Sequence, residues 1–551
     1  MSTLDTRPEL LTAPAGSSDA GLATRGAVAH LGTWVTSADH TVIGRLFVGF
    51  SLVAFLATVL LNALLGVERV DGDGTLVDEG AVLQLFAAQR VGMLFAVLAP
   101  LLLGVAIAIV PLQLGARAVA FPRLAMAGFW AWLAGVVLVI VSLVNNGGPG
   151  GGNADMVDLF LAAHALLVIG LAAAAVSVAT SVLTTRAPGM RLGRAPFFAW
   201  GAMVAAVGLV LLVPVMVGTL VYLFVDHRHG GRAIFGGNEG IGPWMRFAWT
   251  QPTTYLFALP AVGLLAELVP TTFQRRAPQR GATYAGVALV GVAALAGISH
   301  VQFQVPWEGS AGDKIGDLVL WGFFLLLPVL GVLLVFGTAL LTGRPMAGAP
   351  RPRLNPPFAF GLFGVGFVLV GMLAGALQGL GDLDLDATVF EEGAMVYVVY
   401  GGVLAGMGAV AYWLPKWSGH RLATAPSYGL ALLGALATVL AALPLLIAGF
   451  ADQPGMAATY DYDGPAELWN TISTVGHGLM ALVVLGFIAL ALGAAAGRGE
   501  PVEADPWGGQ TLEWTTTSPA PFGNFVDQPT VMSPEPALDL RAAPVRDGEG
   551  R

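Results

Sequence analysis

Between about residue 43 and residue 496 the chain is a succession of apolar runs, broken by short polar, glycine- or proline-bearing segments. A hydrocarbon core about 30 Å thick is spanned by roughly 20 apolar residues in a helix. Twelve runs of that size can be counted, centred near residues 55, 100, 135, 170, 210, 260, 290, 328, 368, 403, 438 and 484. None alternates polar with apolar residues, the pattern that a transmembrane β-barrel requires. The pattern predicts an all-α polytopic membrane protein. It divides into a tail over residues 1–42, a twelve-helix transmembrane domain over 43–496 and a second tail over 497–551.

Charge fixes the expected orientation. The loops after the even-numbered helices carry Arg117 and Arg123; Arg186, Arg191 and Arg194; Arg275, Arg276 and Arg280; Arg344, Arg351 and Arg353; and Lys416 and Arg421. The opposite loops carry the acids, among them Glu68, Asp71, Asp73, Asp78, Glu79, Asp155 and Asp158. Basic loops stay on the cytoplasmic side, which places both termini in the cytoplasm and the acidic loops outside. The first forty residues hold no apolar stretch long enough for a signal peptide. Neither tail is expected to house a catalytic domain.

Composition narrows the chemistry. Only 11% of residues are charged and 56% are hydrophobic, so most of the surface is expected to be solvated by lipid. There is no cysteine, which excludes disulfides, thiolate metal sites and cysteine nucleophiles. Nothing in the chain points to nucleic acid. Ionisable groups inside a bilayer are costly and tend to mark function, yet the helices offer few: Arg90, His164, Glu267, His300 and His477. Polar neutral residues gather in Thr250-Gln-Pro-Thr-Thr-Tyr255, read either as helix-start chemistry around Pro252 or as the remnant of a site.

Several uncommon strings occur in one order along nearly the whole chain. They are Asp39-His-Thr-Val-Ile-Gly-Arg-Leu-Phe47, Pro111-Leu-Gln-Leu-Gly115, Ala120-Phe-Pro-Arg-Leu124 and Arg186-Ala-Pro-Gly-Met190. Ala258-Leu-Pro260, Ala266-Glu-Leu-Val-Pro270, Trp413-Leu-Pro-Lys-Trp-Ser-Gly419 and Asn470-Thr-Ile-Ser-Thr-Val-Gly476 follow. The tail adds Asp505-Pro-Trp-Gly-Gly-Gln-Thr-Leu-Glu-Trp514 and Ser518-Pro-Ala-Pro-Phe-Gly-Asn-Phe525. In these strings the chain resembles subunit I of the heme-copper oxidases, in the cytochrome c oxidase branch. The resemblance implies a subunit I-like twelve-helix bundle, oxygen reduction coupled to proton translocation, two hemes and a copper ion held by six histidines, and subunit II-like or III-like partners.

The ligand positions depart from that pattern. The heme ligand of the second helix falls on Gln89, in Ala87-Ala-Gln-Arg-Val-Gly-Met93. The copper ligand of the sixth helix falls on Gln251, in Gln251-Pro-Thr-Thr-Tyr255, which keeps only the tyrosine. The His-His pair after the seventh helix falls on His300 and Val301. The two ligands of the tenth helix fall on Ala394 and Val396, or on Gly393 and Met395 in a second register. Five of the six histidines are thus replaced, leaving Tyr255 and His300 as vestiges. Met395 could serve iron only opposite Gln89, a poor iron ligand. The family's proton-route positions fall on Ala118 and Ala125, the lysine of the eighth helix is missing from Pro328-Val-Leu-Gly-Val332, and the propionate-holding arginines fall on Ala458 and Thr459.

Two features lie outside the resemblance. Asp382, Asp384, Asp386, Glu391 and Glu392 read either as a solvated outer loop or as a hard-cation site, since Ca²⁺ takes six to eight oxygens. The glycine-rich string Asn145–Asn153 lacks the lysine of a phosphate-binding loop and reads as a flexible connection. The chain is therefore expected to be a cofactor-free structural or partner-binding membrane subunit. The alternatives are a terminal oxidase with atypical ligation of heme and copper, and an ion or small-molecule conduit through the vacated heme space.

Overall fold

The computed structural model describes residues 32, 35–70, 72, 74, 76–229, 234–299, 309–527 and 529–542. Among them are twelve helices long and apolar enough to cross a membrane: α1 His40–Glu68, α2 Gly80–Leu114, α3 Pro122–Val144, α4 Ala154–Thr184, α5 Phe197–Arg228, α6 Ile241–Phe273, α7 Arg280–Ser299, α8 Ala311–Gly343, α9 Pro356–Gln378, α10 Val389–Ser418, α11 Thr424–Phe450 and α12 Ala466–Arg498. The chain is an integral membrane protein of the architecture its apolar pattern predicts.

Local chemistry starts and stops these helices where the polar segments fall. Asp39 caps α1 by accepting from Thr41 N at 2.8 Å, Asn355 caps α9 by accepting from Phe358 N at 2.9 Å, and Thr388 caps α10 through Phe390 N at 3.2 Å. Gly419, at φ 74°, ends α10 in the left-handed conformation that glycine adopts without strain. Two helices are interrupted near the family's ligand positions. α2 carries a π-helical turn at Gly92–Leu98, and α6 breaks at residues 250–253.

Successive helices pack as neighbours and α12 returns to α1, so the bundle closes on itself. The apolar centres of α2 and α10 are wholly enclosed by the rest of the bundle and α6 nearly so, whereas the other nine are between 33% and 56% buried. Every fourth helix is therefore an inner one. Inner and outer helices meet through small residues. A Cβ placed on Gly401 of α10 would lie 2.6 Å from the Gly364 carbonyl oxygen of α9, so only glycine permits this approach. Leu98 and Leu101 of α2 fill the space over Gly402 and Gly406 of α10.

The segment after α12 packs onto the bundle. Trp507, Leu512, Glu513 and Trp514 are buried against the basic-loop end of the bundle. A short antiparallel pairing of β1 His420–Arg421 with β2 Glu500–Pro501, and Lys416 Nζ donating to the carbonyls of Ala504 (2.7 Å) and Thr516 (2.8 Å), hold it there.

Candidate functional site

The first ligand position lies where α2 passes α10. Gln89 is buried, and its Oε1 has no hydrogen-bond partner among the described residues. On α10, Gly393, Ala394, Met395 and Val396 are all buried, and Ala394 packs with Ala374, Leu385 and Phe390. Neither register brings a nitrogen or a carboxylate into this space. Hydrogen-bonded side chains occupy the neighbouring interior instead. Asn62 Nδ2 on α1 donates to Tyr400 Oη on α10 at 3.2 Å and lies 3.7 Å from Met93 Sδ on α2. Tyr400 Oη is 2.7 Å from His477 Nδ1 on α12. Ser473, 3.4 Å from His477 Nε2, donates to the Ala441 carbonyl of α11 at 2.7 Å. Five helices are tied together by this chain of contacts. Asn62 stood in plain view inside the apolar run Leu60-Leu-Asn-Ala-Leu64, yet only the fold brings it to Tyr400 and His477.

The second ligand position lies at the break in α6. Residues 250–253 join Ile241–Trp249 to Thr254–Phe273, so the Gln-Pro-Thr-Thr-Tyr string interrupts the helix rather than opening it. Tyr255 Oη donates to Gln251 Oε1, and Gly375 of α9 presses on both groups. Gln251 Nε2 has no partner among the described residues. Tyr255 and Gln251, the two residues that the sequence singles out here, thus engage each other. His300 and Val301 lie outside the described residues. His164 of α4 is buried among the rings of Phe95, Phe160 and Trp249, and both its nitrogens lack partners there.

At the acidic-loop end the carboxylate cluster divides: Asp382 and Asp384 are exposed, as a solvated loop requires, and the other three are not. Glu391 and Glu392 form the first turn of α10 and are buried rather than solvated. Glu392 receives Arg69 of α1 through both terminal nitrogens, at 3.1 and 2.9 Å, and also Met456 N at 3.1 Å. Glu391 lies 2.8 Å from Arg90 of α2 and 3.2 Å from Arg246 of α6, and Arg246 also grips Asp386. Three arginines therefore neutralise three of the five carboxylates. Among the described residues no group of three or more His, Asp or Glu side chains is placed to hold a metal ion. Nothing in the local sequence marks Arg69 or Arg246, because their carboxylate partners are more than a hundred residues away.

A second buried carboxylate site joins the C-terminal segment to the bundle. Glu513 Oε1 accepts from Gln113 Nε2 on α2 and from Trp413 Nε1 on α10, both at 3.1 Å, while Oε2 has no partner among the described residues. Burial pushes the Glu513 carboxyl above the ordinary glutamate range, against the pull of those two hydrogen bonds. Glu267 of α6 accepts from Phe197 N at 2.9 Å, fixing the start of α5.

The residues present do not fit two hemes and a copper ion. At the described ligand positions stand Gln89, Gln251 and buried hydrocarbon or methionine on α10, and Gln251 is bonded to Tyr255. Copper binds well to imidazole clusters, and no such cluster exists among the described residues.

Residues 42–479 match the family described as Cytochrome C and Quinol oxidase polypeptide I. The chain is 30% identical to a putative cytochrome c oxidase subunit 1-beta of Streptomyces avermitilis, over 94% of its own length and 93% of that protein's. It is 28% identical to cytochrome c oxidase subunit 1 of Corynebacterium diphtheriae, over 98% of its own length and 97% of that protein's.

Proposed function

The chain belongs to the Cytochrome C and Quinol oxidase polypeptide I family, and we propose that it is a member without the metal centre, acting as a structural or partner-binding membrane subunit. The observation that carries this reading is the donor set. Gln89, Gln251 and the α10 positions Ala394 and Val396 stand where the family resemblance implies histidines. The side chains around them are engaged with one another. The inner helices are held by glycine contacts, ion pairs and the Asn62–Tyr400–His477 chain, none of which requires a porphyrin. Its partners are membrane lipid and subunit II-like or III-like proteins, with both termini and the basic loops on the cytoplasmic side.

Purification of the full chain from its own membranes in a mild detergent tests this. A membrane partner is expected in fixed stoichiometry, together with no oxygen uptake from reduced cytochrome c. A chain that runs alone contradicts the partner-binding role.

A second reading is a respiratory terminal oxidase with heme and copper in atypical ligation. The names of its relatives, both cytochrome c oxidase subunits, favour it. Sustained, cyanide-sensitive oxygen uptake by the purified chain would establish that reading in place of the first.

A further inference from the structure

Beside the arginine–carboxylate network, at the acidic-loop end, a cavity of about 430 Å³ opens between α2, α6, the start of α10 and the loop between α11 and α12. That volume lies within the roughly 300–1,000 Å³ typical of small-molecule sites. Leu83, Ala87, Trp249 and Met456 make its walls largely apolar, and Arg90 and Arg246 add positive charge. Glu391 and Glu392 also border it, but their oxygens are already engaged. Glu391 faces both arginines, and Glu392 takes both terminal nitrogens of Arg69 and the Met456 N–H.

Donors, by contrast, are left over. A guanidinium has five N–H groups, and Arg90 has one ion-pair partner among the described residues, reached through one nitrogen. The Trp249 indole, 3% exposed, forms part of the apolar wall. The surplus of donors selects a ligand rich in acceptor oxygen, and the apolar walls select one with a hydrocarbon body. A cationic ligand would find only carboxylate oxygens that arginines already hold. A second ligand carboxylate would have to displace Asp386 or Glu391 from Arg246.

We propose that this cavity binds a water-soluble organic monocarboxylate with an apolar ring or short chain. The carboxylate accepts from Arg90, and the body packs on Trp249 and Leu83. Neither the family membership nor the absence of a metal centre is required for this site.

Calorimetric titration of the full chain in lipid nanodiscs tests it, with 2-naphthoate as probe and 2-naphthamide as its uncharged counterpart. Saturable one-site binding of the naphthoate is expected, with at least tenfold weaker binding of the amide. Arg90→Gln should lower naphthoate affinity about tenfold. Because that change leaves Glu391 with one fewer partner, Gly242→Leu provides a second test that removes no charged group. A Cβ at Gly242 meets nothing within 4 Å, and Gly242 lines the cavity, so the new side chain has room to fill it. Gly242→Leu is expected to abolish binding and leave the unfolding midpoint unchanged. Equal binding of acid and amide, non-saturable partition into the lipid alone, or full affinity in Gly242→Leu overturns the proposal.

Discussion

Tyr400 Oη on α10 lies 2.7 Å from Nδ1 of His477 on α12, and the same hydroxyl accepts from Asn62 of α1 at 3.2 Å. A phenol has one hydrogen to donate. Ser473 Oγ spends its own hydrogen on the Ala441 carbonyl and can only accept from His477 Nε2, so with Nε2 as the donor Nδ1 accepts from the Tyr400 hydroxyl. Removing the hydroxyl strands both partners in a site closed to water. Tyr400→Phe is expected to lower stability by about 1–3 kcal/mol, the cost of leaving buried polar groups unpaired. Thermal unfolding in nanodiscs measures this, and an unchanged midpoint contradicts the role given to the pair.

The Arg69–Glu392 pair is bidentate and almost wholly buried. Breaking such a pair from one side typically costs about 3–5 kcal/mol, because the remaining charge is left uncompensated. Arg69→Met is therefore expected to destabilise the bundle strongly, and Arg69→Met combined with Glu392→Gln should recover most of the loss. Unfolding midpoints of the single and double variants decide the matter. A double variant no better than the single one would show that the charge imbalance is not the cause.

Gly401 faces the Gly364 carbonyl oxygen and the Val368 nitrogen of α9, which would stand 2.6 and 2.8 Å from an added Cβ. These are backbone atoms and cannot rotate away. Gly401→Ala should force α9 and α10 apart and lower the unfolding midpoint. Gly366→Ala, on the same helix pair but with nothing within 4 Å, should leave it unchanged. Equal effects of the two substitutions would contradict the packing described.

Glu513 gives a pH dependence of defined sign. Burial raises its carboxyl, so the folded protein keeps a proton that the unfolded chain releases near the ordinary glutamate pKa of about 4.3. The stability gained is complete below that value and is lost as pH rises through the raised one. The stability difference between wild type and Glu513→Gln should therefore shift against the wild type as pH rises from about 4. Protease cleavage of residues 505–542, followed against pH in both proteins, reports it. A shift in favour of the wild type would reverse the assignment.

The twelve spans were legible because each buries an unbroken apolar run, a signal carried by neighbouring residues. Gln89 and Gln251 could be singled out for a similar reason, since each stands inside a short string of neighbouring residues. Pairings across helices were not. Glu391 and Glu392 look like a solvated acidic turn until Arg69, Arg90 and Arg246 arrive from three other helices. How the C-terminal tail sits was not legible either, because its four anchors, Trp507, Leu512, Glu513 and Trp514, find their places only on the assembled bundle. Thr250–Tyr255, where the sequence suggests helix-start chemistry around Pro252 or a site remnant, is where α6, begun at Ile241, breaks and restarts at Thr254.

The central claim concerns the metal centre, and heme and copper content of the full chain purified from its own membranes tests it most directly. A pyridine hemochrome spectrum with elemental analysis gives both values per polypeptide. The donor set at Gln89, Gln251, Ala394 and Val396 predicts neither heme nor copper in stoichiometric amount. One or more hemes per chain, retained through purification and reducible by dithionite, would contradict it.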